Sequence, residues 1–190
     1  MKRFFIVTVF LLFVFSLNAQ KDTTFYKHEV KVSCSDALLA SLLINSNGFY
    51  YFNISAAYLY RPVKWFWVGG NLVNYFGNML YYHSREYYPT GNYKDFEKTK
   101  LKYCLAIAPE IRFSYLNKKR VILYSALSGG IGFENGYNDR WEKYPKPVPY
   151  FHITYFGFSI NFGENYNYFL GGEGGTGCKG FVNFHGGYRF

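Results

Sequence analysis

Period-two alternation of apolar residues with small or polar ones recurs along this chain and constrains its fold most. No amphipathic helical pattern of useful length accompanies it after the first twenty residues. The clearest case runs from residue 102 to 116, where one face carries Tyr103, Leu105, Ile107, Pro109, Ile111, Phe113 and Tyr115. The pattern predicts eight β-strands, near 28–36, 49–60, 65–79, 102–116, 121–133, 150–162, 167–177 and 180–190. We therefore expect an all-β chain.

The connections between these strands fall into two kinds. Strands two and three, four and five, and six and seven join through the short turns RPVK, NKK and GEN, whereas the intervening links are predicted as long loops over 37–48, 80–101 and 134–149. Short turns at one end and long loops at the other are typical of a bacterial transmembrane barrel with antiparallel up-and-down strands. About ten residues of roughly 3.3 Å each, tilted near 45°, rise on the order of 23 Å, which matches the apolar band of such a barrel.

The composition indicates that lipid solvates part of the surface. Aromatic residues make up 24% of the chain and charged residues only 17%. A soluble exported barrel of the lipocalin type is the structural alternative, and it would place Lys and Glu on its exterior. Here the less apolar strand faces carry mostly Gly, Ala, Ser and Asn, which suit a cramped interior. The membrane interpretation is therefore favoured.

The N-terminus reads as an export signal. Lys2 and Arg3 precede a 14-residue apolar run that ends at Leu17, and Ala19 lies where a signal peptidase could cut. We predict a signal peptide over 1–19 and a barrel domain over 20–190. Without Lys2 and Arg3, 19 basic and 12 acidic side chains leave a net charge of +7. That charge suits anionic lipid rather than nucleic acid, or only keeps the loops soluble.

The chain closes on the alternating segment GFVNFHGGYRF at 180–190. With the export signal and the turn asymmetry, this segment resembles the small eight-stranded outer-membrane β-barrel family of Gram-negative bacteria, the OmpA/OmpX-like barrels. In that family a terminal Phe with aromatic residues at alternate positions is read by the outer-membrane insertion machinery, and Phe184, Tyr188 and Phe190 match that signal, while Gly186 interrupts it. The resemblance implies an outer-membrane location, periplasmic termini, and contact with outer-membrane lipid and lipopolysaccharide.

Strand parity directs six charged side chains to the barrel interior. Three are acids and three are bases: Glu29, Lys31, Glu110, Arg112, Glu173 and Arg189. Because the first and eighth strands become neighbours when a barrel closes, we expect Glu29 to reach Arg189. An unpaired buried charge costs several kcal/mol, so this balanced set predicts a charge network that fills the lumen. The alternative is a narrow water-filled channel; eight strands are too few for a general diffusion porin.

Several local motifs do not meet the sequence requirements of the functional sites that they resemble. The segment GEGGTG at 172–177 fits a dinucleotide fingerprint, but too little chain follows to form the helix and strand that it requires. The four histidines and three cysteines lack metal-ligand spacing, so we predict no metal and no cofactor, and at best one disulfide among Cys34, Cys104 and Cys178. His83, Ser84 and Asp95 are a less favoured candidate for a nucleophile and its base at the outer rim.

The sequence thus predicts a non-enzymatic integral outer-membrane barrel with a side-chain-filled lumen. Its function is expected in envelope structure or surface binding, through the segments 80–101 and 134–149, which combine Tyr, Trp141, Lys and Arg. The first alternative is a lipid-modifying enzyme at the outer rim, and the second is a narrow channel.

Deletion of Phe190, or its replacement by Asp, is expected to reduce insertion into the outer membrane while export to the periplasm continues. The reason is the implied role of the terminal aromatic residue as an assembly signal. Quantitative blotting of periplasmic and outer-membrane fractions measures both steps. Unchanged outer-membrane levels of the Phe190→Asp variant would contradict the assignment.

Overall fold

The computed structural model is a closed barrel of eight antiparallel strands, each hydrogen-bonded to its sequence neighbours, with the last strand pairing with the first. It describes residues 26–36, 49–87, 93–137 and 143–190. The strands are β1 His28–Asp36, β2 Phe49–Val63, β3 Phe66–Tyr87, β4 Tyr93–Asn117, β5 Val121–Tyr137, β6 Lys143–Phe162, β7 Tyr168–Gly177 and β8 Val182–Arg189. This confirms the predicted all-β up-and-down barrel of eight strands. Across these four ranges, no helix has the length and apolar character needed to cross a bilayer.

The barrel is apolar outside and polar inside. Phe184, Leu170 and Ile107 point outward with 65, 60 and 58% of their surface exposed, whereas the charged side chains of Glu29 and Arg189 are fully buried. A water-soluble barrel would show the reverse distribution on its outer surface. Strands that alternate apolar-out and polar-in around a closed barrel characterise transmembrane β-barrels.

The tight curvature of the barrel depends on glycine at points where neighbouring backbones approach closely. A Cβ atom on Gly69 of β3 would overlap the carbonyl oxygen of Tyr58 on β2. Gly130 of β5 stands in the same relation to the carbonyl oxygen of Ile107 on β4. Only a residue without a side chain lets these strand pairs coil so sharply.

The two ends of the barrel differ strongly. The turn end carries the three short turns at 64–65, 118–120 and 163–167, together with Phe190. At the opposite end, the hairpin end, β3 and β4 run for 22 and 25 residues, whereas β1, β7 and β8 have only 9, 10 and 8. The barrel is therefore tall on one side and low on the other.

The prediction of long loops at 80–101 and 134–149 is wrong, because strands extend into both segments. The β3–β4 ladder continues to the pair Tyr87–Tyr93, and the β5–β6 ladder to Tyr137–Lys143. These extensions satisfy their backbone groups by pairing with each other and need no apolar face, so period-two alternation is lost there although the strands persist. The link at 37–48 lies outside the described residues, as does the predicted signal peptide at 1–19.

A side-chain amide joins the two extended hairpins where strand pairing stops. The β4–β5 ladder ends at Cys104 and Glu134. Just beyond it, Asn135 accepts a hydrogen bond from the Tyr103 amide at 2.8 Å and donates one to the Leu101 carbonyl at 3.0 Å. The amide of Asn135 thus takes the place of a further backbone pair.

Three prolines occupy the free edge of β6. Pairing with β7 begins at His152, so the earlier residues of β6 have β5 as their one partner strand within the described chain. The Phe151 carbonyl accepts from the Cys178 amide, on the side away from β5. Pro145, Pro147 and Pro149 share the parity of Phe151, so their missing N–H groups fall on this open edge. Prolines at such positions protect a sheet edge from pairing with another chain.

Replacing Pro145, Pro147 and Pro149 together by Thr is expected to cause concentration-dependent self-association, because three N–H donors appear on the open edge of β6. Size-exclusion chromatography with light scattering in detergent measures the change relative to the wild type. The control is Lys146→Thr, whose N–H faces β5. A triple variant that associates no more than this control would show that the prolines do not guard the edge.

Candidate functional site in the barrel interior

The structure brings the six charged residues selected from the sequence into one interior cluster. Each has 4% or less of its surface exposed: Glu29, Lys31, Glu110, Arg112, Glu173 and Arg189. They come from the four strands β1, β4, β7 and β8, and they lie in the half of the lumen toward the turn end. Strand parity places them here, because inward positions alternate with lipid-facing ones along every strand.

Glu29 links two arginines on different walls of the barrel. One carboxylate oxygen accepts from Arg112 Nη1 at 2.7 Å, and the other accepts from Arg189 Nε at 2.7 Å. Arg189 lies on the neighbouring strand β8, whereas Arg112 reaches from β4 on the far side of the lumen. Arg189 also donates to the side-chain oxygen of Asn161 on β6. A single carboxylate therefore ties β1, β4 and β8 together.

Glu110 and Glu173 form the centre of the network. Lys31 Nζ lies 2.6 Å from Glu173 Oε1 and 3.7 Å from Glu110 Oε1, so it joins the two carboxylates. Glu110 also accepts from Arg112 at 3.2 Å. The neutral donors Tyr124, Asn183 and Asn71 complete the carboxylate shells, the first two on Glu173 at 2.7 and 2.9 Å and the third on Glu110 at 2.5 Å. Such shared hydrogen bonds make buried charges tolerable.

Aromatic rings pack against the guanidinium groups. The Arg189 guanidinium lies 3.9 Å from the centroid of Phe169, and that of Arg112 lies 4.2 Å from the centroid of Tyr124. Toward the turn end, Arg61 stacks on Trp67 at 4.9 Å. These contacts supply favourable electrostatics and fill the space between charges, which leaves little room for water.

Lys179 belongs to this network although sequence analysis did not select it. It lies in the turn between β7 and β8, yet only 1% of its surface is exposed, and its Nζ is 3.0 Å from Glu110 Oε2. Gly177 and Gly180, at φ of 125° and 90°, allow the turn to fold into the lumen. The glycines that flank Cys178 and Lys179 in the segment GCKG are the sequence feature from which this tight turn could have been predicted. With Lys179 the network holds four bases and three acids, so the expected three-to-three balance is incomplete.

The half of the lumen toward the hairpin end is more apolar than expected. Its buried cluster contains three inward tyrosines and two free cysteines, and its members are Tyr50, Val73, Tyr75, Cys104, Ala106, Ala108, Val148, Tyr150 and Cys178. Above it, Lys102 pairs with Glu134 at 3.0 Å. Cys34 is a free thiol on the exterior. The lumen thus has a charged half and an aromatic half.

The remaining sequence motifs are the histidines and the candidate nucleophile at the rim. Among its residues, no group of three or more His, Cys, Asp or Glu side chains could hold a metal ion. His185 lies in the charged half, with Nε2 3.3 Å from Ser159 Oγ and 3.4 Å from Tyr124 Oη. The backbones of His83 and Ser84 lie in β3 and that of Asp95 in β4, but their side chains fall outside the description.

The residues of the proposed assembly signal lie on the outer surface. Phe184, Tyr188 and Phe190 are 65, 39 and 52% exposed. The ring of Phe190 stacks on that of His28 at 5.2 Å, and its carbonyl accepts from the His28 amide at 2.8 Å. The last residue is therefore fixed against β1 at the seam where the barrel closes.

Comparisons with known proteins add little to this description. No protein-family model matches the sequence, and a search of curated proteins found no match. One similar solved structure is the crystal structure of Ail, the attachment invasion locus protein of Yersinia pestis, in complex with the heparin analogue sucrose octasulfate. It shares 12% identity, with 88% of this chain and all of that chain covered, at a TM-score of 0.46. At this level the likeness carries no conclusion about this chain.

Replacing Arg112 by Ala is expected to lower the free energy of unfolding by about 3–5 kcal/mol, since Glu29 and Glu110 would lose a buried partner. Urea titration of the protein folded in detergent, followed by gel mobility, measures the loss. The matched control Arg120→Ala, on an exposed turn, should change stability by about 0.5 kcal/mol or less. Equal stability of the two variants would show that water already solvates the interior carboxylates.

Proposed function

We propose that the chain is an integral outer-membrane barrel that carries no catalytic activity and serves envelope structure or surface contact. The observation that carries this proposal is the inside-out distribution of polarity, with an apolar exterior around an interior filled by paired charges. A closed barrel leaves no unpaired strand edge in lipid, so every backbone group within the bilayer is satisfied. The eight-stranded size favours an anchor rather than a general pore.

The turn end is proposed to face the periplasm and the hairpin end the cell exterior. Short turns on the periplasmic side and longer extracellular segments are the usual arrangement in bacterial outer-membrane barrels. Tyr26 and Phe190 both lie at the turn end, where the amide of Lys27 donates to the Phe190 carbonyl at 3.1 Å. In this orientation Phe184, Tyr188 and Phe190 serve the insertion machinery during assembly.

The two extended hairpins are the proposed contact surface. Pairing of β3 with β4 reaches Tyr87–Tyr93, far beyond the hairpin-end limits of β1 and β7, so a two-stranded sheet stands above the low side of the rim. Its sequence from 81 to 99 holds Tyr, Lys and Arg, which suit contact with sugars, lipopolysaccharide headgroups or proteins. A paired hairpin presents such groups with less loss of conformational entropy than a free loop would.

The lipid-modifying enzyme and the narrow channel are the competing functions. The enzyme would use the rim residues His83, Ser84 and Asp95, and the channel would need water to pass through the charged half of the lumen. The tight packing of Arg112, Lys31 and Glu173 favours a filled interior over a channel.

Location and fold are tested together by gel mobility. The protein purified from an outer-membrane fraction is expected to run faster unheated than after boiling, because a barrel in which strands close on each other resists detergent at room temperature. A soluble species whose mobility does not change on heating would overturn the membrane assignment.

The contact function is tested by shortening the β3–β4 hairpin. Replacing residues 81–99 by a two-residue Asn-Gly turn should leave heat-dependent mobility unchanged while binding to lipopolysaccharide-coated or protein-coated surfaces falls to background. The matched control exchanges the same segment for a Ser/Thr hairpin of equal length. If adhesion is unchanged but a phospholipid acyl-transfer or hydrolysis activity disappears, the enzyme proposal replaces this one.

A further inference from the structure

The turn between β4 and β5 carries three consecutive basic residues at the turn end of the barrel. Lys118, Lys119 and Arg120 are all exposed. Lys118 and Val121 exchange backbone hydrogen bonds of 2.9 and 3.2 Å, which closes a tight hairpin. Three cationic side chains are thereby held on a turn of fixed backbone.

Asn161 of β6 fastens this turn from the interior side. Its amide N–H donates to the Arg120 carbonyl at 2.7 Å, and its side chain donates to the Lys119 carbonyl at 2.8 Å. Asn161 also accepts from Arg189, so the turn is connected to the charge network. These bonds to the Lys119 and Arg120 carbonyls fix the backbone of the turn, and the three basic side chains lie on its exposed side.

Tyr166, in the neighbouring β6–β7 turn, completes the arrangement at some conformational cost. It has a φ of 58°, the one non-glycine residue with positive φ among the described residues. Its ring centroid lies 4.6 Å from Lys119 Nζ and 6.0 Å from the Arg120 guanidinium carbon. A hydrogen bond from Arg120 lowers the pKa of the Tyr166 hydroxyl. Strain of this kind persists where surrounding structure requires it, and it marks candidate functional sites.

The surroundings place this cluster at headgroup level. Exposed aromatic side chains ring the same end of the barrel, including Trp65, Phe162 and Tyr168. Such belts lie at the boundary between acyl chains and headgroups. Lys64 in the β2–β3 turn and Lys27, just before β1, add further positive charge at this end, and Glu164 is the one acidic side chain in its three described turns.

We propose that Lys118, Lys119 and Arg120, with Tyr166 beside them, bind the phosphate headgroup of an anionic phospholipid in the adjoining membrane leaflet. This site, which we call the basic turn, rests on the proposed function to the extent that the barrel must lie in a bilayer. Lys and Arg donate charge-assisted hydrogen bonds to phosphate oxygens, and low-dielectric lipid on one side strengthens them. The periplasmic leaflet of the proposed orientation supplies such lipids.

Native mass spectrometry of the folded full-length mature protein tests this site. The protein in neutral detergent is offered equal amounts of dioleoylphosphatidylglycerol and dioleoylphosphatidylcholine, and the ratio of bound lipids is recorded. The triple variant Lys118→Gln, Lys119→Gln and Arg120→Gln should lower the preference for phosphatidylglycerol by about tenfold or more. The matched control, Lys94→Gln, Lys98→Gln and Lys146→Gln, removes the same charge from the extended hairpins at the opposite end and should keep most of the preference.

Tyr166→Gly provides a second readout that separates binding from folding. Glycine accepts positive φ without strain, so this variant should unfold at a higher temperature while its preference for phosphatidylglycerol falls. A variant that loses binding through misfolding would instead unfold at a lower temperature. Retained preference in both Tyr166→Gly and the triple variant would overturn the site.

Further outcomes distinguish a lipid headgroup from free phosphate as the ligand, and separate failure of this site from failure of the barrel proposal. An equal loss of preference in the matched control, or displacement of the lipid by an equal concentration of inorganic phosphate, would overturn assignment to a lipid headgroup at the basic turn. Stronger retention of soluble peptidoglycan fragments would do so as well. A wild type that inserts into phosphatidylcholine vesicles without any lipid preference would overturn this inference and leave the barrel proposal intact, whereas failure to insert into any vesicle would overturn the barrel proposal.

Discussion

The pairing of Glu29 with Arg112 and Arg189 is the interaction on which the rest of the interior depends. Its two 2.7 Å contacts connect the closing seam of the barrel to the opposite wall. Because no bulk solvent reaches fully buried side chains, each charge must be neutralised by another part of the same chain. From Glu29 the pairing extends through Arg112 to Glu110 and through Lys31 to Glu173, so a change at one member alters the environment of all.

This constraint explains features that otherwise look unrelated. The Lys179 turn folds inward because Glu110 offers its ammonium group a buried partner at 3.0 Å. Trp67, Tyr124 and Phe169 face inward, against the usual polarity of a barrel lumen, because their rings cover guanidinium groups and occupy space that water would otherwise fill. Close strand approaches at Gly69 and Gly130 draw the walls together around these side chains. Charge pairing, aromatic packing and curvature therefore support one compact interior.

Strand parity accounts for how much could be predicted from the sequence. In β4 the alternation places Ile107 and Phe113 outward and Glu110 and Arg112 inward, and the structure has them there. Strand parity does not identify a strand that has no apolar face. For this reason the sequence predicts that β3 ends before residue 80 and that β4 begins after residue 101. The turn signal PTGN at 89–92 lies in the sequence between the end of β3 at Tyr87 and the start of β4 at Tyr93, so it was the better guide to these strand ends. Parity could not predict Lys179, because its inward direction depends on tertiary pairing with Glu110. It also could not predict the buried cluster around Tyr75 and Tyr150, because a periodic pattern does not distinguish an inward tyrosine from an outward one.

The central claim is that paired charges and packed rings fill the lumen, and ion conductance through single molecules in planar lipid bilayers tests it most directly. The wild-type protein, reconstituted at neutral pH in concentrated potassium chloride, should show no steady current above that of the bare membrane. Its insertion is verified by recovering heat-modifiable protein from the same vesicles. A large, stable, ohmic conductance of the wild type would contradict the account, because it would mean that water separates the charges that the structure joins.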